Sequence, residues 1–240
     1  MEAIVVKSII LHEGKLLWIF TALALLLIIS FGFFSYKVEI DNKSLSYKIN
    51  LTKSSRNYVK LENIDKKFLD SIVAIEDHRF YSHGALDYIS IVRATINNVK
   101  ARKVVEGGST ITQQLAKNLC LSNERSFKRK FKETLLAFQL EKKYSKEEIL
   151  ELYVNVINFG DGNIGIGQAA KGYFGKSAKY LTYGEATMLA GLPQAPGVYA
   201  LSKNNELSKK RQNQVINALE KYNGIKEENF AVTPKFECNK

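Results

Sequence analysis

Residues 107–118 read Gly107-Gly108-Ser109-Thr110-Ile111-Thr112-Gln113-Gln114-Leu115-Ala116-Lys117-Asn118. Two glycines make a turn, Ser109 and Thr110 are both good N-cap residues, and Leu115 and Leu119 lie four apart on one helical face. The spacing predicts a helix that opens here and turns its free backbone N–H groups and positive dipole end toward an approaching ligand. Lys117 sits two turns in. Hydroxyls, amides and a lysine so placed are equipment for an anionic ligand, phosphorylated or sugar-bearing. A glycine turn before an amphipathic surface helix is the plainer alternative, and this stretch alone does not separate the two.

Working outward, the rest of the chain also reads as helical. Asp65 can cap a helix carrying Phe68, Leu69, Ile72, Val73 and Ile75. Leu86 to Val99 follows, with Ile89, Val92 and Ile96 on one face. From about Ser126 to Lys143 a long helix is expected, with Phe127, Phe131, Leu135 and Phe138 as its buried stripe. Ser145-Lys146-Glu147-Glu148 and Thr182-Tyr183-Gly184-Glu185 are capping boxes. The first opens a helix with Ile149, Leu152, Tyr153 and Val156, and the second a short apolar helix that stops at Pro193. A last amphipathic helix is expected from Glu206 to Tyr222. Gly160 to Gly167 is glycine-rich but lacks the Gly-Lys-Ser/Thr ending of a nucleotide loop, so it reads as a turn or flap.

The 240 residues suffice for one well-buried domain plus an appendage. A formal net charge of +11 suits nucleic acid, an anionic membrane surface or an anionic substrate. Leu16 to Phe34 chooses among them: 19 residues without a charge, close to the length that spans a hydrocarbon core of roughly 30 Å. Trp18 and Tyr36 fit interfacial positions. The expected organisation is a short N-terminal cytoplasmic segment (1–15), a transmembrane anchor (16–36), a stalk contributing a strand or two (37–60), a mainly α domain (61–225) and a C-terminal tail (226–240). A nucleic-acid binder would explain the charge but not the anchor. Cys120 and Cys238, the two cysteines, have no metal-ligand spacing.

Two clusters can carry chemistry. Glu76-Asp77-His78-Arg79-Phe80-Tyr81-Ser82-His83-Gly84 follows the apolar run Ile72 to Ile75. Carboxylates at the end of a buried helix are either solvated acids at a helix terminus or groups whose pKa burial raises. Raised to about 6–7, a glutamate is a competent general base for a sugar hydroxyl. His83, before a glycine, reads as a turn or packing histidine. In the second cluster, Arg125, Arg129 and Glu133 fall at i, i+4 and i+8, with Lys130 beside them. They form either an exposed ion-pair ladder or the wall of a cleft whose guanidinium forks match a pyrophosphate.

Together these stretches resemble the peptidoglycan glycosyltransferases, glycosyltransferase family 51. That family occurs as the transglycosylase domain of class A penicillin-binding proteins and as single-domain monofunctional enzymes. Glu76-Asp77-x-x-Phe80-x-x-His83-x-Gly84 resembles its first motif, Gly107 to Asn118 its second and Arg129-Lys130-x-x-Glu133 its third. Ile149 to Asn155 resembles the fourth, and Ala169-Ala170-x-x-Tyr173-Phe174-Gly175-Lys176 the fifth. The similarity covers about residues 60 to 220; the missing proline after Tyr199 is a peripheral departure.

The resemblance implies a lysozyme-like helical fold, preceded by the single membrane helix. It implies transfer of a growing glycan from undecaprenyl pyrophosphate to the GlcNAc 4-hydroxyl of lipid II, with inversion, forming β-1,4 links. Glu76 is then the general base and Glu133 the second catalytic acid, on the donor side. Lys117 and Arg125 neutralise the leaving pyrophosphate. Asp77, Ser109, Thr110, Gln113, Gln114, Asn118, Arg129 and Lys130 complete the substrate site. No cofactor is required, although the pyrophosphate leaves room for a divalent cation, magnesium or manganese. The implied partners are lipid II, undecaprenyl-pyrophosphate-linked glycan, the cytoplasmic membrane and other cell-wall synthesis proteins, with no nucleic acid. The implied location is the bacterial cytoplasmic membrane, single-pass, with the catalytic domain on the extracytoplasmic side. No Ser-x-x-Lys tetrad is present, so the monofunctional form without transpeptidase activity is expected. A lytic enzyme and a non-catalytic scaffold for wall synthesis are the rival readings. The pyrophosphate-binding cations argue against the first, and the paired carboxylates against the second.

Overall fold

The computed structural model describes residues 44–103, 107–120, 126–203 and 205–225, and Leu25 alone in the N-terminal stretch. The expected anchor therefore lies, but for Leu25, outside the described residues, as do Arg125, the 1–15 segment and the tail. Among the described residues no helix is long and apolar enough to cross a membrane.

The described chain is helical: α1 (44–53), α2 (Lys66–Glu76), α3 (Tyr88–Ala101), α4 (Ile111–Cys120), α5 (Phe127–Lys143), α6 (Lys146–Val156), α7 (Ile166–Phe174), α8 (Tyr183–Gly191), α9 (Pro196–Tyr199) and α10 (Asn205–Asn223). Its sole β feature among those residues is a single bridge, Asn158 to Ile164. The caps fall where the spacing put them. Asp65 accepts from Lys67 N, Ser145 with Glu148 closes one capping box, and Thr182 with Glu185 closes another. Apolar almost all round, α8 is buried along nearly its whole length.

α2, α8 and α10 pack together, and α4 packs against α5 and α6. A continuous core joins the two groups through Phe68, Ile72, Leu115, Leu140, Leu150, Tyr153 and Leu189. Phe68, fully buried, meets the Phe159 ring at 6.1 Å between centroids. Phe68→Ala is expected to cost about 3–5 kcal/mol, the range for emptying an aromatic core site, read as a lowered urea midpoint.

Three expectations change. The stretch read as stalk with a strand is helical over 44–53, and Leu45 and Ile49, one turn apart, enter the core. Alternating apolar residues at 45, 47, 49 and 51 fit period two, yet the pair four apart is the one buried. On α5 the expected aromatic stripe faces outward: Phe127 is 98% exposed, and Phe131 and Phe138 are exposed too. Glu133, Leu136, Ala137 and Leu140 form the buried face instead. On α3 the face with Ile89, Val92 and Ile96 is likewise exposed, and Ala94 is the buried residue. Helical spacing identifies an apolar stripe without saying what covers it.

The loop from Gly160 is a turn. Gly160 (φ +87°) would bring a Cβ within 2.7 Å of Pro196 O, so no larger residue fits there.

Candidate active site

α2 delivers Glu76. Its buried stripe (Phe68, Ser71, Ile72, Ala74) fixes the helix, and the chain leaves helical geometry at Asp77 (φ −161°), so Glu76 ends the helix at the floor of a cleft. Glu76 Oε2 accepts a 2.8 Å hydrogen bond from Gln114 Nε2. Buried Oε1 accepts none from the described residues, and Arg211 Nη2 stands 3.5 Å away. Burial pushes the Glu76 carboxyl above its ordinary range. The Gln114 hydrogen bond and the charges of Arg211 and Lys117 oppose the rise, and Asp77 adds to it. Gln114 is oriented in turn by the buried Tyr153, whose hydroxyl donates to Gln114 Oε1 at 3.1 Å. With its oxygen taken by Tyr153, the amide can only present its N–H to the glutamate.

Asp77 meets the start of α4. Its Oδ2 accepts from Ile111 N at 3.0 Å, and Oδ1 is 2.8 Å from His83 Nε2. The Thr110 hydroxyl donates to Ala85 O (2.8 Å) and accepts from Gln113 N (3.1 Å), while Gln113 Oε1 accepts from Thr110 N (3.1 Å). This reciprocal cap corrects the reading of α4 as a free anion-binding end: the protein's own groups occupy it.

His83 Nδ1 lies 2.6 Å from Gly84 O. Both ring nitrogens thus face acceptors, the pattern of an imidazolium. Burial pulls the His83 pKa down, but the hydrogen bond and charge of Asp77 outweigh it, and the net shift is upward. A raised histidine pKa contributes stability that is complete below about pH 6.5 and is lost as pH rises through the folded value. His83→Gln is therefore expected to flatten the fall in unfolding free energy above pH 6.5, measured by urea denaturation across pH.

Asp77, His83 and Asp87 bring ligand atoms within 4.8 Å of one another. The trio does not fit a metal. His83 is doubly committed, and Asp87 accepts from Ile89 N, Ser90 N, Ser90 Oγ and Arg79 Nε. The Arg79 guanidinium already supplies a counter-charge at Asp87.

α5, capped by Ser126, supplies the opposite wall. Buried Glu133 accepts from Arg129 Nη1 at 2.8 Å and pairs with Lys130 Nζ, which also reaches Ser109 Oγ at 2.8 Å. Arg129 and Lys130 are thus held as a pair around one carboxylate. Half-buried Lys117, on α4, makes no ion pair with a described residue.

These groups meet in one cavity of about 610 Å³, lined by Glu76, Asp77, Ser109, Thr110, Gln114, Lys117, Arg129, Lys130 and Glu133. Gln113 lies behind it, its amide between Thr110 and Thr134. Asn118 is not among the residues lining this cavity; one residue, about 100°, beyond Lys117 on α4, it lines a separate cavity with Thr52 and Asn155. Missed from sequence were Arg211 and Tyr222, which form the α10 side; Tyr222 stacks on His78 with 3.8 Å between ring centroids. Arg211 left a signal. It falls in phase with the buried Val215 and Leu219, a charge on an apolar stripe.

The family model described as Transglycosylase matches residues 42–220, so the match takes in α1. Penicillin-binding protein 1A of Neisseria flavescens is 48% identical over 162 residues, 68% of this chain and 20% of that protein. Penicillin-binding protein 4 of Bacillus subtilis (strain 168) is 42% identical over 185 residues, 77% of this chain and 30% of that protein. Penicillin-binding protein 1A of Aquifex aeolicus (strain VF5) is 45% identical over 161 residues, 67% of this chain and 22% of that protein. The chain thus spans less than a third of the length of these relatives. With a matched region that runs from α1 through nearly all of α10, this chain belongs to the transglycosylase family.

Proposed function

We propose that this cleft polymerises peptidoglycan glycan, moving the growing chain from undecaprenyl pyrophosphate to the GlcNAc 4-hydroxyl of lipid II. The observation that carries the reading is that Glu76 Oε1, which accepts no hydrogen bond from a described residue, shares its cavity with Lys117, whose positive charge acts on Glu76. A hydroxyl bound at Oε1 gives its proton to Glu76 as its oxygen attacks the anomeric carbon. On the opposite face of the sugar the bond to pyrophosphate breaks, inverting the centre and leaving a β-1,4 link. Charge building on the departing pyrophosphate is met by Lys117 and, by family correspondence, Arg125. Glu133 organises Arg129 and Lys130 on the donor side, and Ser109 and Asp77 complete the substrate site. Thr110, Gln113 and Gln114 act through the scaffold, holding α4 and the base in place.

A lipid-linked substrate suits an enzyme held at the cytoplasmic membrane by residues 16–36, with this domain on the extracytoplasmic side. The exposed aliphatic face of α3 (Ile89, Val92, Ile96, Val99) supports that placement. The reaction requires no cofactor. In a monofunctional enzyme the product is uncrosslinked glycan, open to other wall-building proteins.

The test is lipid II whose GlcNAc carries hydrogen in place of the 4-hydroxyl, supplied as the sole substrate. No glycan is expected, because the modified molecule can donate its anomeric carbon but has no hydroxyl with which to attack as acceptor. A glycan ladder from it would refute the assignment of the 4-hydroxyl as nucleophile.

A further inference from the structure

One wall of the cleft comes from α10, which lies beyond the five quoted motifs. α10 turns Ser208, Arg211, Gln212, Val215 and Leu219 inward. Arg211 is 7% exposed, and burying a guanidinium is expensive unless each edge of its fork has a partner. Here each edge does. Nε donates to Gly191 O at 3.3 Å, Nη1 donates to Gln214 Oε1 at 2.9 Å, and Nη2 faces Glu76 Oε1 at 3.5 Å. Gly191, the last residue of α8, also makes room for the stem: a Cβ there would lie 2.9 Å from Arg211 Cγ. The glycine thus supplies both the acceptor that anchors the fork and the space the fork needs.

We propose that Arg211 is a positioning residue for Glu76, a fixed counter-charge held by Gly191 that keeps the carboxylate ionised and Oε1 turned into the cleft. This rests on the reading of Glu76 as the base. At 3.5 Å the contact is longer than a good N–H···O hydrogen bond, so Arg211 supplies charge without consuming the lone pair that receives the proton. The other groups facing Glu76 do not provide this. Asp77, next in sequence, is negative; Tyr153 on α6 stays neutral; and Gln114 on α4 carries no charge. Lys117 on α4 is positive but more open to solvent, and in the proposed reaction its charge is drawn to the leaving group. α8 contributes the Gly191 carbonyl. As the O–H bond of the acceptor breaks and a proton reaches Glu76, the neutral carboxyl loses its attraction to Arg211. Release of that proton to water is then favoured before the next turn.

The experiment is a ¹³C titration of the Glu76 side-chain carboxyl in the full-length, detergent-solubilised protein, its resonance assigned by its loss in Glu76→Gln. Arg211→Gln is expected to raise the Glu76 pKa by about one unit or more. It should carry the acid limb of the kcat/KM–pH profile for lipid II upward with it. Arg211→Lys, which keeps the charge, is expected to restore both to near the wild-type values. Gly191→Ala, which displaces the stem and leaves the charge, is expected to shift both in the same direction as Arg211→Gln, and it decides the matter should Arg211→Gln fail to fold. Unchanged Glu76 titration in a folded Arg211→Gln or Gly191→Ala variant would overturn the proposal. Because the titration needs no turnover, a protein that shows the shift but never polymerises lipid II would refute the polymerase reading alone.

Discussion

Glu76→Gln is expected to reduce lipid II polymerisation to background, a fall of at least the roughly 10²–10⁴-fold that a positioned general base supplies. Glutamine keeps the shape of the side chain and an oxygen for the Gln114 hydrogen bond, but it has no site basic enough to take the hydroxyl proton. The same change is not expected to unfold the protein. Burial raises the Glu76 pKa, and an acid with a raised folded-state pKa loses stability as pH climbs through that value. Above the ordinary glutamate range the buried acid is therefore a cost to the fold, and the Gln variant should melt at the same temperature as wild type or higher. Wild-type activity should rise with pH through that raised pKa, above the ordinary glutamate range. A Gln variant that is folded and turns over at near wild-type rate would refute Glu76 as the base.

Lys117→Ala is expected to cost on the order of 10²-fold or more in kcat, the scale for losing a donor aimed at charge that develops in the transition state. The geometry makes Lys117 the sharper test of the pyrophosphate assignment. Arg129 and Lys130 share Glu133, so part of their charge is already offset, whereas Lys117 has no such partner among the described residues. Its loss should therefore fall on kcat more than on KM, because the pyrophosphate charge grows as the glycosidic bond breaks. Arg125→Ala is expected to act in the same direction. Losses below about threefold in both would remove the leaving group from this part of the cleft.

Much of this architecture was legible because it is written in local spacing. Asp65, Ser145 with Glu148, and Thr182 with Glu185 are side chains that satisfy backbone groups two or three residues away, so the sequence alone exposes them. Glu76 was legible for a related reason, as the polar residue closing an apolar helical run. What escaped depends on distant partners. Nothing near Phe127 or Ile89 tells that these apolar faces look outward while Glu133 looks in. Nor does anything near Gly107 tell that Asp77, thirty-four residues before Ile111, fills the start of α4. Arg211 stood between these cases: its phase with Val215 and Leu219 marked it as buried, but its partner Glu76 is 135 residues away and only the fold joins them.

Incubating the solubilised full-length protein with labelled lipid II and separating the products by size, with Glu76→Gln alongside, puts the catalytic reading at risk in one step. A ladder of uncrosslinked glycan from the wild type and none from the variant is the predicted result. Absence of a ladder, with added preformed glycan cut instead, would contradict it and make the cleft a lytic site.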